Sequence, residues 1–352
     1  MRFGANHYVP VLKVKRGEKK ALQLLSPPAQ AMITPLLEIV ARKADKDVFR
    51  HLDTAFKDLT AAVEGFDRCF LETREIAPDG ADAATEVFLR AERLGIPFTP
   101  ITGISRIVDV EAALGHRARG LALRLTRKEF EAGNLAAGIR AFLARHGYTP
   151  EDIDLIIDLG SVENMIAAGV EAFAGAFLDA VPDHTRWKTF TLSACAFPPG
   201  MGGVGRNSSA LIDRSDWLAW RDGLHARRAL IPRLPTYSDG AIQHPAGVEG
   251  FDPKRMKAPA AIRYTAGDSW LLIKGRSVLK EPTIQFRSMA RELVYGDLRS
   301  AFYGAEHCNG CAATKNAADG VGKFSTLEAW RRFGTAHHIT TVVQDLGGLT
   351  WP

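Results

Sequence analysis

The run Asp154-Leu155-Ile156-Ile157-Asp158-Leu159-Gly160 constrains this chain more than any other stretch. It is apolar at its centre, carries a carboxylate near its end and is closed by glycine. Such a run suits a strand buried on both faces, as in a parallel sheet. Val162, Met165, Ile166, Val170, Phe173 and Phe177 follow in a helical pattern. Strand, polar tip and amphipathic helix make one β/α unit, and the chain repeats that unit.

In chain order, strands are expected at Tyr8–Lys15, Pro35–Val40, Arg68–Glu72, Pro97–Thr102, Gly120–Leu125, Asp154–Gly160 and Lys188–Cys195. Between them, helices are expected around Ala21–Leu25, over Asp47–Phe66, over Ala81–Leu94 before Gly95, around Val108–Leu114, and over Arg127–His146 before Gly147. Arg233–Asp239 has the right place for an eighth strand, although it contains Pro235. Ala261–Tyr264 and Trp270–Lys274 read as a hairpin turned by Gly267-Asp268. Helices near Phe286–Phe302 and Leu327–His337 complete the chain.

Seven or eight such units in roughly 240 residues match the size of a closed (β/α)8, TIM-like barrel. The alternative is an open doubly wound α/β sheet. Polar residues recur at the carboxyl ends of many strands, and a barrel brings all those ends to one mouth. The chain is therefore read as an α/β protein. Residues 1–243 form a (β/α)8-like barrel, and residues 244–352 form a C-terminal α+β appendage of hairpin and helices packed on it.

The polar tips are Lys13, Lys15, Glu38, Glu72, Arg124, Asp158, Ser193 and Asp239. Converging carboxylates of Glu38, Glu72 and Asp158 can hold magnesium or manganese, or move protons. Lys13 and Arg124 can neutralise an oxyanion or phosphoryl group, with Lys15, Ser193 and Asp239 as further substrate contacts. The competing reading is that Glu38, Glu72, Lys13 and Arg124 pair with one another to neutralise the barrel interior.

After the seventh strand, Gly200-Met201-Gly202-Gly203-Val204-Gly205-Arg206 leads toward an expected helix near Ser208-Ser209. Gly202, Gly203 and Arg206 would cradle an anion at that helix start. Cys308-Asn309-Gly310-Cys311 has metal-ligand spacing, and His307, His337 and His338 share its region. Cys308, Cys311, His337 and His338 form a candidate structural zinc site. A reduced structural cysteine pair is the expectation for a single such motif.

Formal net charge is +5 and the pI is near 9.0, which suits an anionic small molecule or nucleotide. The charge looks too dispersed to argue for nucleic acid by itself. Asp216-Trp217-Leu218-Ala219-Trp220-Arg221 and Trp330-Arg331-Arg332 read as packing residues with solvated neighbours. Four cysteines in 352 residues are not a disulfide framework. No run is long enough to span a bilayer, and the first residues lack the apolar core of a signal peptide. The expectation is a cytoplasmic protein with no membrane partner.

Several stretches together resemble the beta family proteins of phages and bacteria. They are Tyr8-Val9-Pro10-Val11-Leu12-Lys13-Val14-Lys15-Arg16-Gly17-Glu18, Pro35-Leu36-Leu37-Glu38, Asp154 to Gly160, Thr326 to Trp330, Gly334-Thr335 and His337-His338-Ile339-Thr340. The resemblance implies a phage or mobile-element context and a role in phage–host conflict. It carries no reaction and no site residue across. The residues themselves lead to a metal-dependent hydrolase or phosphodiesterase acting on a phosphorylated or nucleotide-like anion. The alternative is a non-catalytic binding protein in a phage or anti-phage defence complex, with a protein partner.

Overall fold

The computed structural model describes residues 3–246, 258–278 and 282–351. Eight strands close into an all-parallel barrel: β1 (Tyr8–Lys13), β2 (Leu36–Glu38), β3 (Cys69–Glu72), β4 (Phe98–Thr102), β5 (Leu121–Thr126), β6 (Ile153–Ser161), β7 (Thr189–Cys195) and, closing onto β1, a strand at Thr236–Asp239. The closing strand is thus the proline-containing segment. Pro235 stands just before it, where no ladder hydrogen bond is lost.

Period-two alternation explains how the interior is layered. Val9, Leu36, Phe70, Ile101, Ala122 and Ile156 meet inside the barrel as a fully buried apolar plug. Two residues further along four of these strands come Glu38, Glu72, Arg124 and Asp158, all buried. The register aligns Lys13 with Glu38 and Glu38 with Glu72 on one side, and Thr126 with Asp158 and Asp158 with Ser193 on the other. The charged layer is therefore the carboxyl-end lid of a packed interior.

The outer ring contains α1 (Arg16–Leu22), α2 (Pro27–Ala31), α3 (Val48–Phe56), α4 (Leu59–Val63), α5 (Ala81–Arg93), α6 (Val110–Gly115), α7 (Arg127–Glu131), α8 (Leu135–His146) and α9 (Ala167–Ala180). Two expected single helices are divided. Asp58, at φ +60°, separates α3 from α4, and Gly133, at φ +76°, lies between α7 and α8.

The helix expected at Ser208-Ser209 is instead a strand, β8 (Ser208–Asp213). With the barrel-closing Thr236–Asp239 as β9, the hairpin strands are β10 (Pro259–Ala266) and β11 (Ser269–Ser277). β8 pairs antiparallel with β11, so the glycine-rich loop leads into a sheet edge, with no helix start to attract an anion. The hairpin turns at Gly267-Asp268, with Gly267 at φ +58°. It lies over the ends of β7 and β9: Trp270 packs edge-on against Phe197, and Arg263 donates to the Ile242 carbonyl.

Beyond a short α10 (Ser215–Leu218), the last helices are α11 (Pro282–Tyr295), α12 (Asn309–Asp319) and α13 (Leu327–Gly347). With β10 and β11 they enclose a second apolar core that includes Tyr264, Phe286, Cys311, Trp330 and Phe333. The far half of α13 joins the main core through Ala336, Ile339, Val342 and Leu346. Gly17 of α1 lets Arg331 of α13 pass so closely that a Cβ would stand 2.8 Å from Arg331 Cγ. Among the described residues, no helix is long and apolar enough to cross a membrane.

Candidate functional site at the carboxyl end of the barrel

The charged layer is a closed ion-pair network. Arg124 Nε and Nη2 approach Asp158 Oδ2 at 2.9 and 2.8 Å, while Nη1 donates to Glu38 at 2.8 Å and to Glu72 at 3.2 Å. Arg106 grips Glu72 with both terminal nitrogens, at 2.6 and 2.8 Å, and also reaches Asp109. Arg74 stands 3.6 Å from both Glu38 and Asp158. Burial alone would raise the Glu72 and Asp158 carboxyls. The guanidinium groups outweigh it and hold both below the usual range, Arg106 leading for Glu72 and Arg124 for Asp158. Burial disfavours the Arg124 charge, yet Asp158, Glu38 and Glu72 together raise its affinity for the proton.

In this geometry Glu38, Glu72 and Asp158, the carboxylates expected to hold magnesium or manganese, are instead paired with arginine. Arg124 stands between the three carboxylates and neutralises them. The cavity lined by Lys13, Glu38, Arg124, Asp158 and Ser193 measures about 20 Å³, room for one water. Lys13 Nζ donates to the carbonyl of Pro245, which lines the same cavity.

Other expected contacts also fall elsewhere. Asp239 is fully buried and accepts from Tyr8 Oη at 2.5 Å, Tyr237 Oη at 2.9 Å and the Ala241 N–H at 2.8 Å, with His338 Nε2 at 3.0 Å. It is sealed from any substrate. Gly202, Gly203 and Arg206 line neither the small cavity nor the cleft described next. Their loop is tied to β11 through Lys274, whose Nζ donates to the Met201 and Val204 carbonyls.

The large opening beside the mouth is a cleft of about 670 Å³ between α1, the loop after β2, and α3. Lys13, Lys15 and Arg16 enter from the end of β1, Lys19 and Lys20 from α1. Lys43 and Lys46 come from the loop after β2, and Lys57 from the end of α3. The acidic lining is Glu38, Asp58 and Glu75. Two devices build the walls. Lys19 Nζ donates to the Thr54, Ala55 and Lys57 carbonyls, capping α3 and joining it to α1. Arg42, anchored on Asp79 at 2.6 Å, donates to the Lys43, Ala44 and Lys46 carbonyls and shapes their loop. The Lys43 and Lys46 side chains remain exposed and make no ion pair with any described residue. Desolvation lowers the Lys15 ammonium; Glu18 opposes this, and the charges of Lys13, Arg331 and Arg263 add to it. A bound anion would relieve that repulsion.

A second cluster lies where α12 meets α13. Cys308 caps α12, and its Sγ accepts the Cys311 N–H at 3.3 Å. His337 Nδ1 faces Cys311 Sγ at 3.2 Å and Cys308 Sγ at 3.8 Å, with the Thr341 hydroxyl at 3.5 Å. Hydrogen bonding with Cys311, then with His337, pulls the Cys308 thiol down to about 4 against the effect of burial. Hydrogen bonding with Cys308 and burial push the Cys311 thiol up. The cysteines are therefore not an isolated pair. His307 and His337 are the histidines beside them, whereas His338 turns to Asp239 and to Thr265 Oγ1.

Sequence reasoning located Lys13, Lys15 and Glu38 but missed Lys19, Lys20, Lys43, Lys46 and Lys57, and it missed Arg74 and Arg106 as partners of the carboxylates. The concentration of lysine between residues 13 and 57 was the available signal. Eight of the chain's 45 lysines and arginines line this cleft. The family model described as Beta protein matches residues 8–344. No curated protein matches the chain.

Proposed function

The chain belongs to the Beta protein family, and from its cleft we propose that it binds a phosphorylated, nucleotide-like anion beside the barrel mouth. The observation that carries this reading is eight cationic side chains against three carboxylates around about 670 Å³. That volume lies within the usual range for small-molecule sites, roughly 300–1,000 Å³. The described lining contains no Phe, Tyr or Trp. Recognition therefore rests on phosphate charge more than on stacking of a base. Magnesium or manganese would enter with the phosphates, since magnesium is commonly held by one or two carboxylates plus substrate phosphates. Titration with phosphate, pyrophosphate, and nucleoside mono-, di- and triphosphates tests the proposal by calorimetry. Affinity should climb with phosphate number, and the absence of binding by every multiply charged member at low salt would end it.

Hydrolysis of that ligand is the second reading. It is favoured by Glu38, the one carboxylate of the barrel layer that also lines the cleft, next to Lys13. Product release by wild type, lost in Glu38→Gln with binding retained, would establish hydrolysis. Binding without turnover would leave a non-catalytic receptor. The proposed setting is cytoplasmic phage–host conflict, which rests on the family resemblance, with a partner protein reading the occupied cleft.

A further inference from the structure

We propose that His307, Cys308, Cys311 and His337 form a tetrahedral zinc site that clips α12 to α13. Zinc–sulfur and zinc–nitrogen bonds of about 2.3 and 2.0–2.1 Å place neighbouring ligand atoms roughly 3.3–3.8 Å apart. The separations of His337 Nδ1 from the two sulfurs, 3.2 and 3.8 Å, lie close to that spacing, the first just below it. His307 offers a nitrogen within 4.8 Å of the ligand atoms of Cys308 and His337, and Cys311 Sγ stands outside that trio, so the His307 side chain has to swing inward to complete the set.

The surroundings point the same way. His337 Nε2 lies 2.8 Å from the Thr265 carbonyl, which can only accept a hydrogen bond. The proton of the neutral ring therefore resides on Nε2, and the Nδ1 lone pair faces the thiols. This is the arrangement that orients a metal-binding histidine. Tyr264 Oη accepts the Tyr303 N–H at 3.0 Å, which leaves its own hydrogen for Cys311 Sγ at 3.2 Å. A donor aimed at a sulfur suits a thiolate ligand. Tyr264 also stacks on His337, with centroids 3.8 Å apart, and fixes the ring plane. Cys308 and His307 are half-buried, which gives the ion a path inward.

Close helix contact makes the cluster possible. A Cβ at residue 310 would lie 2.4 Å from the Phe333 carbonyl oxygen and 3.0 Å from the His337 nitrogen. Glycine between the two cysteines is what allows α12 to approach α13 closely enough for four ligands to meet.

The test uses the purified full-length chain. Metal analysis should find about one equivalent of zinc. After metal removal under reducing conditions, Co²⁺ should restore thiolate-to-cobalt charge-transfer bands and the strong visible bands of a tetrahedral site. Cys308→Ser and Cys311→Ser should each reduce the charge-transfer intensity by about half, as expected for two thiolate ligands. His337→Gln should weaken metal binding, and His307→Gln should alter the visible bands. The wild-type cobalt spectrum decides the matter even if a variant fails to fold. Reduced wild type without thiolate–cobalt bands would overturn the proposal. So would a Cys308–Cys311 disulfide that, once reduced, still binds no Co²⁺.

Discussion

Arg124 and Asp158 meet through two guanidinium nitrogens on a single carboxylate oxygen, at 2.9 and 2.8 Å, inside a barrel that leaves both residues buried. Removing Arg124 takes the central cation from the carboxylates of a low-dielectric layer. Arg124→Met should therefore destabilise the protein by about 3–5 kcal/mol, and Asp158→Asn by a smaller amount because Glu38 and Glu72 still face Arg124. Urea denaturation measures both. Variants within about 0.5 kcal/mol of wild type would show that the layer contributes little to the fold.

Acid should weaken the same layer. Glu72 and Asp158 have carboxyls held below their unfolded values. Their contribution is complete above the unfolded carboxylate range, about 3.9–4.3, and is lost as pH falls from there through the lower folded values. Melting temperature should drop below about pH 4, and the drop should shrink in Glu72→Gln measured against its own neutral-pH melt.

Asp216 acts with the opposite sign. Burial, and then the charge of Asp239, pushes its carboxyl up to about 7. The folded state then holds a proton that the unfolded chain has already released, so this group lowers stability as pH rises from about 4 to 7. Asp216→Asn imitates the protonated form and should flatten melting temperature across that interval. An unchanged slope would remove Asp216 as its origin.

Charge at the cleft is open to direct reversal. Lys43→Glu and Lys46→Glu change exposed side chains, so folding should be unaffected. Each reversal should weaken pyrophosphate binding about tenfold, on the order of 1.4 kcal/mol, with the loss shrinking as salt rises. Arg42→Ala should weaken binding more mildly by releasing the loop that it shapes. Unaltered calorimetric affinity in the double reversal would place the anion elsewhere.

Gly310→Ala probes the helix contact independently of any ion. The added methyl has to displace the Phe333 carbonyl, 2.4 Å away, or separate α12 from α13. A loss of about 1–3 kcal/mol is expected in metal-free protein. Wild-type stability would mean that the helices can shift apart without cost.

Strand identity and layering were legible locally. The pairs Leu36 and Glu38, Phe70 and Glu72, Ala122 and Arg124, and Ile156 and Asp158 each place a charge two residues after an apolar side chain on the same strand face. Such pairs in buried runs, alternating with helices, lead to a barrel with polar strand tips. The alternation could not reveal that Arg74 and Arg106 would arrive from loops to complete the ion pairs. Ser208–Asp213 was misread for a related reason. Its exposed, weakly patterned residues become a strand only because β11 offers an edge for pairing.

His337 and His338 mark the limit most clearly. Adjacent residues on a helix point about 100° apart, so at most one could face the Cys308–Cys311 pair. Their order in the chain does not say which. Docking of α13 against α12 on one side and β9 on the other sends His337 to the thiols and His338 to Asp239, 99 residues away in sequence. The same holds for the cleft, where lysines from β1, the loop after β2 and α3 become neighbours through the pairing of β1 with β2 and the docking of α3 on α1. Local periodicity sets the direction of a side chain relative to its own element. Only long-range packing decides what stands opposite it, because that depends on how separate elements settle together to bury their apolar faces.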